Sequence, residues 1–272
     1  MRAAQATSGT TPPGTSDEHQ AAVWVRHMFS GIAPKYDLLN HLLSFNVDRS
    51  WRKRLMQRMR RVLDRPEAII LDLCCGTGDV LLDLRSVSHA RVIGADFCHP
   101  MLIGAQRKLA HGRFAAPVIE ADALQLPLAD DSLDAISIAF GFRNLANYKA
   151  GLAELRRVLK PGGLLAILEF SHPRGPLMKM AYGFYSKAFM PLIGAALSGS
   201  WEAYAYLPES IKKFPRAAQL EEMMANAGFE QTSFELLTGG IAALHIGLKS
   251  ALLAAVQAPV DLVPQTEVSN QT

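Results

Sequence analysis

Polar and apolar positions change period repeatedly along the middle of the chain. Short apolar runs of strand length occur at 68–73 (AIILDL), 91–97 (RVIGADF), 116–123 (APVIEADA), 132–140 (SLDAISIAF) and 163–170 (GLLAILEF). Between them, 79–86, 99–110 and 147–160 carry helical spacing. In the last, Leu152, Leu155, Val158 and Leu159 make a stripe at i, i+3, i+6 and i+7, and the PGG at 161–163 ends it. Further on, 217–229 reads as a helix closed by Gly228. The runs 229–237 and 241–249, separated by TGG, read as a hairpin. Strands alternating with helices predict an α/β fold. It is a seven-stranded, doubly wound, mostly parallel sheet with helices on both faces and antiparallel strands at one edge.

Two regions fall outside this alternation. Residues 19–65 read as a helical lid ahead of the sheet. Its last helix, 48–64, has Asp48 placed to cap it, Trp51, Leu55, Met59 and Val62 on one face, and arginine and lysine on the others. Residues 171–214 form a helical insertion after the fifth strand, with eight of the chain's 21 aromatic residues. It follows the carboxyl edge of the sheet, where ligands bind in such folds. The expected organisation is one domain over 19–249: lid 19–65, core 66–170, insertion 171–214, closing helix and hairpin 215–249. Residues 1–18 are small, polar and proline-bearing and read as a disordered tail, as does most of 250–272.

Composition narrows the class. The chain is 49% hydrophobic and 19% charged, as soluble globular proteins are. A net charge of +3 is too mild to suggest nucleic acid as a partner. Cys74, Cys75 and Cys98 have neither disulfide nor metal spacing. They read as reduced thiols in a cytoplasmic protein, and no metal is expected. No signal peptide is apparent, and no apolar run reaches the roughly 18–20 residues of a membrane span.

The stretch LDLCCGTGDV (71–80) is a buried strand running into a glycine turn, and it raises the question of which nucleotide it serves. The turn, Gly76, Thr77 and Gly78, lacks the third glycine of GxGxxG, whose position holds Leu81, and it lacks the GK[ST] of a phosphate loop. Asp79 puts negative charge at the helix head, where a phosphate would otherwise be favoured. Asp96, 20 residues after Gly76, is placed to accept from ribose hydroxyls. Asp122, with Ala123 beside it, is placed for the exocyclic amine of adenine. Together these acids fit adenosine with a cationic, phosphate-free tail, which is S-adenosylmethionine.

Six further stretches carry a resemblance: 28–52 (MFSGIAPKYDLLNHLLSFNVDRSWR), 71–79 (LDLCCGTGD), 138–144 (IAFGFRN), 159–170 (LKPGGLLAILEF), 206–215 (YLPESIKKFP) and 237–249 (LTGGIAALHIGLK). Through them the chain, from about Val25 to Lys249, resembles the ubiquinone/menaquinone biosynthesis C-methyltransferase family. The resemblance implies a Rossmann-like class I methyltransferase fold and methylation of a ring carbon on a reduced, prenylated quinol. It assigns the cofactor to Thr77, Asp96, Asp122 and Ala123, with Gly76, Gly78 and Asp79 around the turn. Several members have a serine at the position of Ala139, where it serves the cofactor. Ala139 offers only its backbone.

Methylating a quinol carbon requires that the neighbouring hydroxyl, with a pKa near ~10, be deprotonated or its anion stabilised. Arg143 in GFRN is the first candidate, as a fixed cation beside a developing oxyanion. Asn144 either orients the quinol or caps the next helix. Tyr36 either meets the ring or packs in the core. His172 is a candidate base, Glu169 a supporting group, and His245 a structural histidine. The lid and the aromatic insertion are expected to channel the prenyl tail. The basic helix 48–64 either touches anionic lipid, which would put the protein at the inner face of the membrane, or is a solvated face. A homo-oligomer is left open. Demethylmenaquinol is the expected substrate, with 2-polyprenyl-6-methoxy-1,4-benzoquinol as the alternative. A methyltransferase for another lipophilic phenol or a sterol, a silent cofactor-binding subunit and an NAD oxidoreductase are the rivals. The intact acids and Arg143 argue against the silent subunit, and Leu81 against NAD.

Overall fold

The computed structural model describes residues 9–37, 44–112, 114–175, 180, 183 and 201–251. The chain begins with α1 (Glu18–Ile32), a single 3-10 turn (Ala33–Lys35) and α2 (Asp48–Leu63). The core follows as β1 (Ile69–Leu73), α3 (Asp79–Val87), β2 (Arg91–Asp96), α4 (His99–Gly112), β3 (Val118–Glu120), β4 (Leu133–Ala139), α5 (Tyr148–Val158) and β5 (Leu159–Phe170). It closes with α6 (Trp201–Lys213), α7 (Ala217–Asn226), β6 (Phe229–Leu237) and β7 (Ala242–Lys249). All seven expected strands join one sheet in the order β3-β2-β1-β4-β5-β7-β6. The first five run parallel, and β7 lies antiparallel between β5 and β6.

Strand alternation builds two apolar layers. Leu71, Leu73, Ile136 and Ile138 face α5 and α7, joining Leu152, Leu155, Leu220 and Met224. Ile70, Ala135, Ala166 and Leu168 face the other way, joining Trp51, Leu55 and Met59 of α2 and Leu81 and Leu84 of α3. With both faces covered, the parallel strands are apolar almost throughout. Asp72 on β1 and its register partner Ser137 on β4 interrupt these runs, both on the side of the α2–α3 layer. The tight helix–strand approach that a third turn glycine usually permits is made differently here. Leu81 sits over Gly94 of β2, where a Cβ would come 2.7 Å from the leucine Cδ2.

The sheet order reverses between β1 and β4, and both strands end on a non-glycine residue in the left-handed region, Cys74 (φ 56°) and Phe140 (φ 58°). The two chains turn apart there and leave a crevice at their carboxyl ends, the usual ligand position in doubly wound sheets. The lid covers it. Asp17 caps α1 by accepting from Gln20 N at 2.8 Å. From its buried stripe, Val25 and Met28 pack on Tyr206, and Ile32 packs on Cys98 and Met101.

Three local expectations are corrected. Asp48 does not cap α2: it is the first helical residue, and its buried carboxylate takes Ser44 Oγ at 2.6 Å and the Arg52 guanidinium instead. The α5 cap is Asn147, which accepts from Ala150 N at 3.0 Å, so Asn144 has another role. Residues 9–17 are packed chain rather than loose tail: Thr10 N donates to Leu145 O at 2.8 Å. The aromatic-rich stretch with Tyr182, Phe184, Tyr185 and Phe189, and the tail from 252 on, lie outside the described residues.

Candidate active site

The crevice holds two adjoining cavities of about 130 and 60 Å³. Gly76, Thr77, Asp79, Asp72, Ala139 and Arg143 line the first. Asp96, Asp122, Ala123, Met101 and Asn144 line the second. Phe29, Tyr36, Cys74, Gly76 and Phe140 belong to both.

The glycine turn bends the backbone along the first cavity. Cys74, Gly76 and Gly78 are all left-handed, with Gly78 at φ 90° and packed on Ala105. Gly76 N donates to Asp96 Oδ2, and Cys98 N to Asp96 Oδ1, both at 2.9 Å. Burial lifts the Asp96 pKa to about 6, against the pull of those N–H donors. Its lone pairs on the cavity side can take two vicinal hydroxyls. Asp122 is exposed, lines the second cavity and accepts from Leu124 N at 2.9 Å through Oδ1 alone. Thr77 spends its hydroxyl on Asp37 at 2.5 Å and offers a ligand its backbone.

Asp79 is paired with Lys108 at 2.5 Å and faces Arg52 at 3.6 Å, so its charge at the α3 head is largely compensated. Lys108 also reaches Asp37 at 2.7 Å, and Arg52 reaches Asp83 at 2.7 Å. This network ties Asp37 and α2 of the lid to α3 and α4 around the cavity. It joins residues far apart in sequence, and no short motif announces it.

Asp72, which the sequence reading passed over, lines the first cavity. Ser137 Oγ donates to its Oδ1 at 2.9 Å, while Oδ2 is buried without a partner. Burial, opposed by the Ser137 bond, raises its pKa to about 8. An acid with an unspent oxygen, on the wall of a cavity, calls for a cation. The signal was present: one charged residue inside the apolar run AIILDL. These donors and acceptors match adenosine linked to a cationic amino-acid tail. S-Adenosylmethionine therefore fits the residues present, with hydroxyl acceptors in one cavity and the Asp72 carboxyl in the other.

Arg143 lines the same cavity as Asp72 and is buried. Its Nη1 donates to Glu169 Oε1 at 3.0 Å and to Phe140 O, and its backbone N donates to Glu169 Oε2 at 3.1 Å. Burial works to lower its pKa, but the Glu169 carboxylate overrides this and holds it above the ordinary value. Its Nε is buried with no partner. Beside it lies an aromatic wall. Phe140 and Phe170 have centroids 4.8 Å apart, and Trp51 meets them at 5.9 and 6.2 Å. Trp51 is fixed by donating its Nε1 to Thr238 Oγ1 at 2.8 Å. Tyr36 stands edge-on to Phe29 at 6.0 Å. Asn144 accepts from Tyr206 Oη at 2.9 Å.

His172 is not brought to the crevice. It lines a separate groove with Lys212, Phe214 and Arg216. His245 is structural as expected: it is buried in β7, and Nε2 lies 3.0 Å from Ala217 O. Cys74 lines both cavities, yet burial raises its thiol pKa well above the usual value, so it is inert wall. Among the described residues no group of acids, histidines and cysteines is arranged to hold a metal.

Residues 15–249 match the ubiE/COQ5 methyltransferase family. A demethylmenaquinone methyltransferase of Thermus thermophilus is 48% identical over 221 residues, 81% of this chain and 99% of that protein. A ubiquinone/menaquinone biosynthesis C-methyltransferase of Geotalea daltonii is 42% identical, over 83% of this chain and 96% of its own length. Among solved structures, a methyltransferase from Thermotoga maritima superposes with a TM-score of 0.56 at 20% identity, over 82% of this chain and 99% of that one. At that identity it supports the fold alone.

Proposed function

The chain belongs to the ubiE/COQ5 methyltransferase family and is an S-adenosylmethionine-dependent C-methyltransferase of quinone biosynthesis, and on that premise we propose that it converts a prenylated demethylmenaquinol to menaquinol. The observation that carries the proposal is Arg143, a buried cation of the cavity wall with an unpartnered Nε, beside a three-ring aromatic face.

S-Adenosylmethionine, when bound, supplies a methyl group already activated on a sulfonium. The protein has then to hold the acceptor carbon in line and keep its neighbouring oxygen anionic. Asp96 and Asp122 take the ribose and adenine donors, the Gly76–Gly78 turn approaches the methionine part, and Asp72 balances its cationic end. Arg143, held by Glu169, presents Nε to the phenolate, where a water-excluded cation acts most strongly. Trp51, Phe140 and Phe170 offer flat apolar surface to a fused bicyclic ring. This surface, and the demethylmenaquinone methyltransferases among the relatives, favour the naphthoquinol over the benzoquinol precursor.

Purified enzyme given S-adenosylmethionine and chemically reduced demethylmenaquinone is expected to yield menaquinone. The 6-methoxybenzoquinol is expected to turn over at least tenfold more slowly. No product from the naphthoquinol would overturn the substrate. Arg143→Met is expected to lower kcat by about a hundredfold, the range for one charged oxyanion donor, while S-adenosylhomocysteine still binds. Undiminished turnover would remove Arg143 from the chemistry. The partner is thus the quinol. The lipid nature of that substrate, and exposed Lys53, Arg58 and Arg61 on α2, also support a peripheral membrane contact.

A further inference from the structure

The family match begins at residue 15, yet the chain just ahead of it is bonded into the crevice. Gly9 lies close against the backbone carbonyls of Leu145 and Ala146. A Cβ there would stand 2.3 Å from Leu145 O and 2.4 Å from the Ala146 carbonyl carbon. Thr10 N donates to Leu145 O at 2.8 Å. The Thr10 hydroxyl is 2.7 Å from Tyr206 Oη, in a buried contact spanning 196 residues. Tyr206 Oη in turn donates to Asn144 Oδ1 at 2.9 Å. Since Tyr206 has one proton and gives it to Asn144, the Thr10 hydroxyl is the donor into Tyr206. Lys213 Nζ donates to Thr11 O at 3.2 Å on the outer side.

Both targets matter. Asn144, Leu145 and Ala146 form one wall of the second cavity, and Arg143 is the adjoining residue. Tyr206 lines the first cavity and rests on Trp24 of the lid, with centroids 5.1 Å apart. We propose that residues 9–11 are a strap that fixes the 141–146 loop, with Thr10 acting as a positioning residue for Asn144 through Tyr206. The strap shapes the S-adenosylmethionine cavity from outside the family-matched core. Glycine at 9 lets the strap lie on the loop backbone, and the Thr10 hydroxyl orients the Asn144 amide.

The test uses the full chain and does not depend on which quinol is the substrate, because it reads cofactor affinity. Thr10→Val removes the hydroxyl and keeps the shape. It is expected to weaken S-adenosylhomocysteine about fivefold by calorimetry, the effect of one buried hydrogen bond. Tyr206→Phe is expected to do at least as much, and adding Thr10→Val to it should change affinity less than twofold further. Gly9→Val, which cannot lie on the loop, is expected to weaken binding at least tenfold. Unliganded melting temperatures should stay within about 2 °C of the parent for Thr10→Val. Unchanged affinity in Gly9→Val overturns the proposal. So do independent, multiplying effects of Thr10→Val and Tyr206→Phe, or a Thr10→Val loss matched by a general loss of stability.

Discussion

Replacing Asp72 with asparagine removes a carboxyl that the fold holds in an unfavourable setting. Burial lifts its pKa from 3.8 to about 8. Between those values the folded protein keeps a proton that the unfolded chain has released. Stability therefore falls as pH rises through this window, by about 1.4 kcal/mol per pH unit. Over the whole window the ionised form costs the fold about 6 kcal/mol. A cation brought to Oδ2 reverses the balance, since the anion then has a partner. Binding of S-adenosylmethionine at pH 7 should accordingly release about one proton per site. Calorimetry in two buffers of different ionisation enthalpy counts that proton. Asp72→Asn should release none, and should bind S-adenosylmethionine about tenfold to a hundredfold more weakly, the range for a charged hydrogen bond. The same variant without ligand should melt higher than the parent at pH 8.5. Equal proton release by parent and variant, or parallel melting curves across pH 6 to 9, would refute the assignment.

Two other outcomes follow from the structure. Burial lowers the His245 pKa from 6.5 to about 4, with the hydrogen bond to the Ala217 backbone opposing. The unfolded chain therefore protonates first as pH falls, and stability is lost from pH 6.5 downward, by about 2 kcal/mol at pH 5. Urea unfolding of His245→Gln should show a correspondingly flatter profile, and superimposable profiles would sink this. Flotation with anionic vesicles should carry the protein upward and neutral vesicles should not. Reversing charge at Lys53, Arg58 and Arg61 should abolish it, and flotation indifferent to lipid charge would remove the membrane contact.

Much of this was visible in the sequence, for a definite reason. The central strands β1, β4 and β5 are buried on both sides, so their apolar runs stand out from composition alone. The acids at 79, 96 and 122 follow strand ends or turns, and topology gathers such positions along one edge. Long-range bonds leave no such trace. Thr10 sits in a polar, proline-bearing stretch that buries little, and its order comes from contacts with Leu145 and Tyr206. Lys108 reaches Asp79 across 29 residues on a helix whose polar face looks ordinary. Asp48 sits where a cap would sit, but Arg52, one turn later, competes for its carboxylate and wins. Asn144 and Asn147 are equally plausible caps on paper, and only the start of α5 decides between them. His172 follows β5 as a base should, yet the chain leaves the sheet there in the direction of α7 and not the crevice.

Phe29 and Tyr36 reach both cavities from the same lid. The two cavities therefore share two aromatic walls, so a substitution at either ring is expected to change donor and quinol affinity together, and the steady-state pattern to expect is a sequential one.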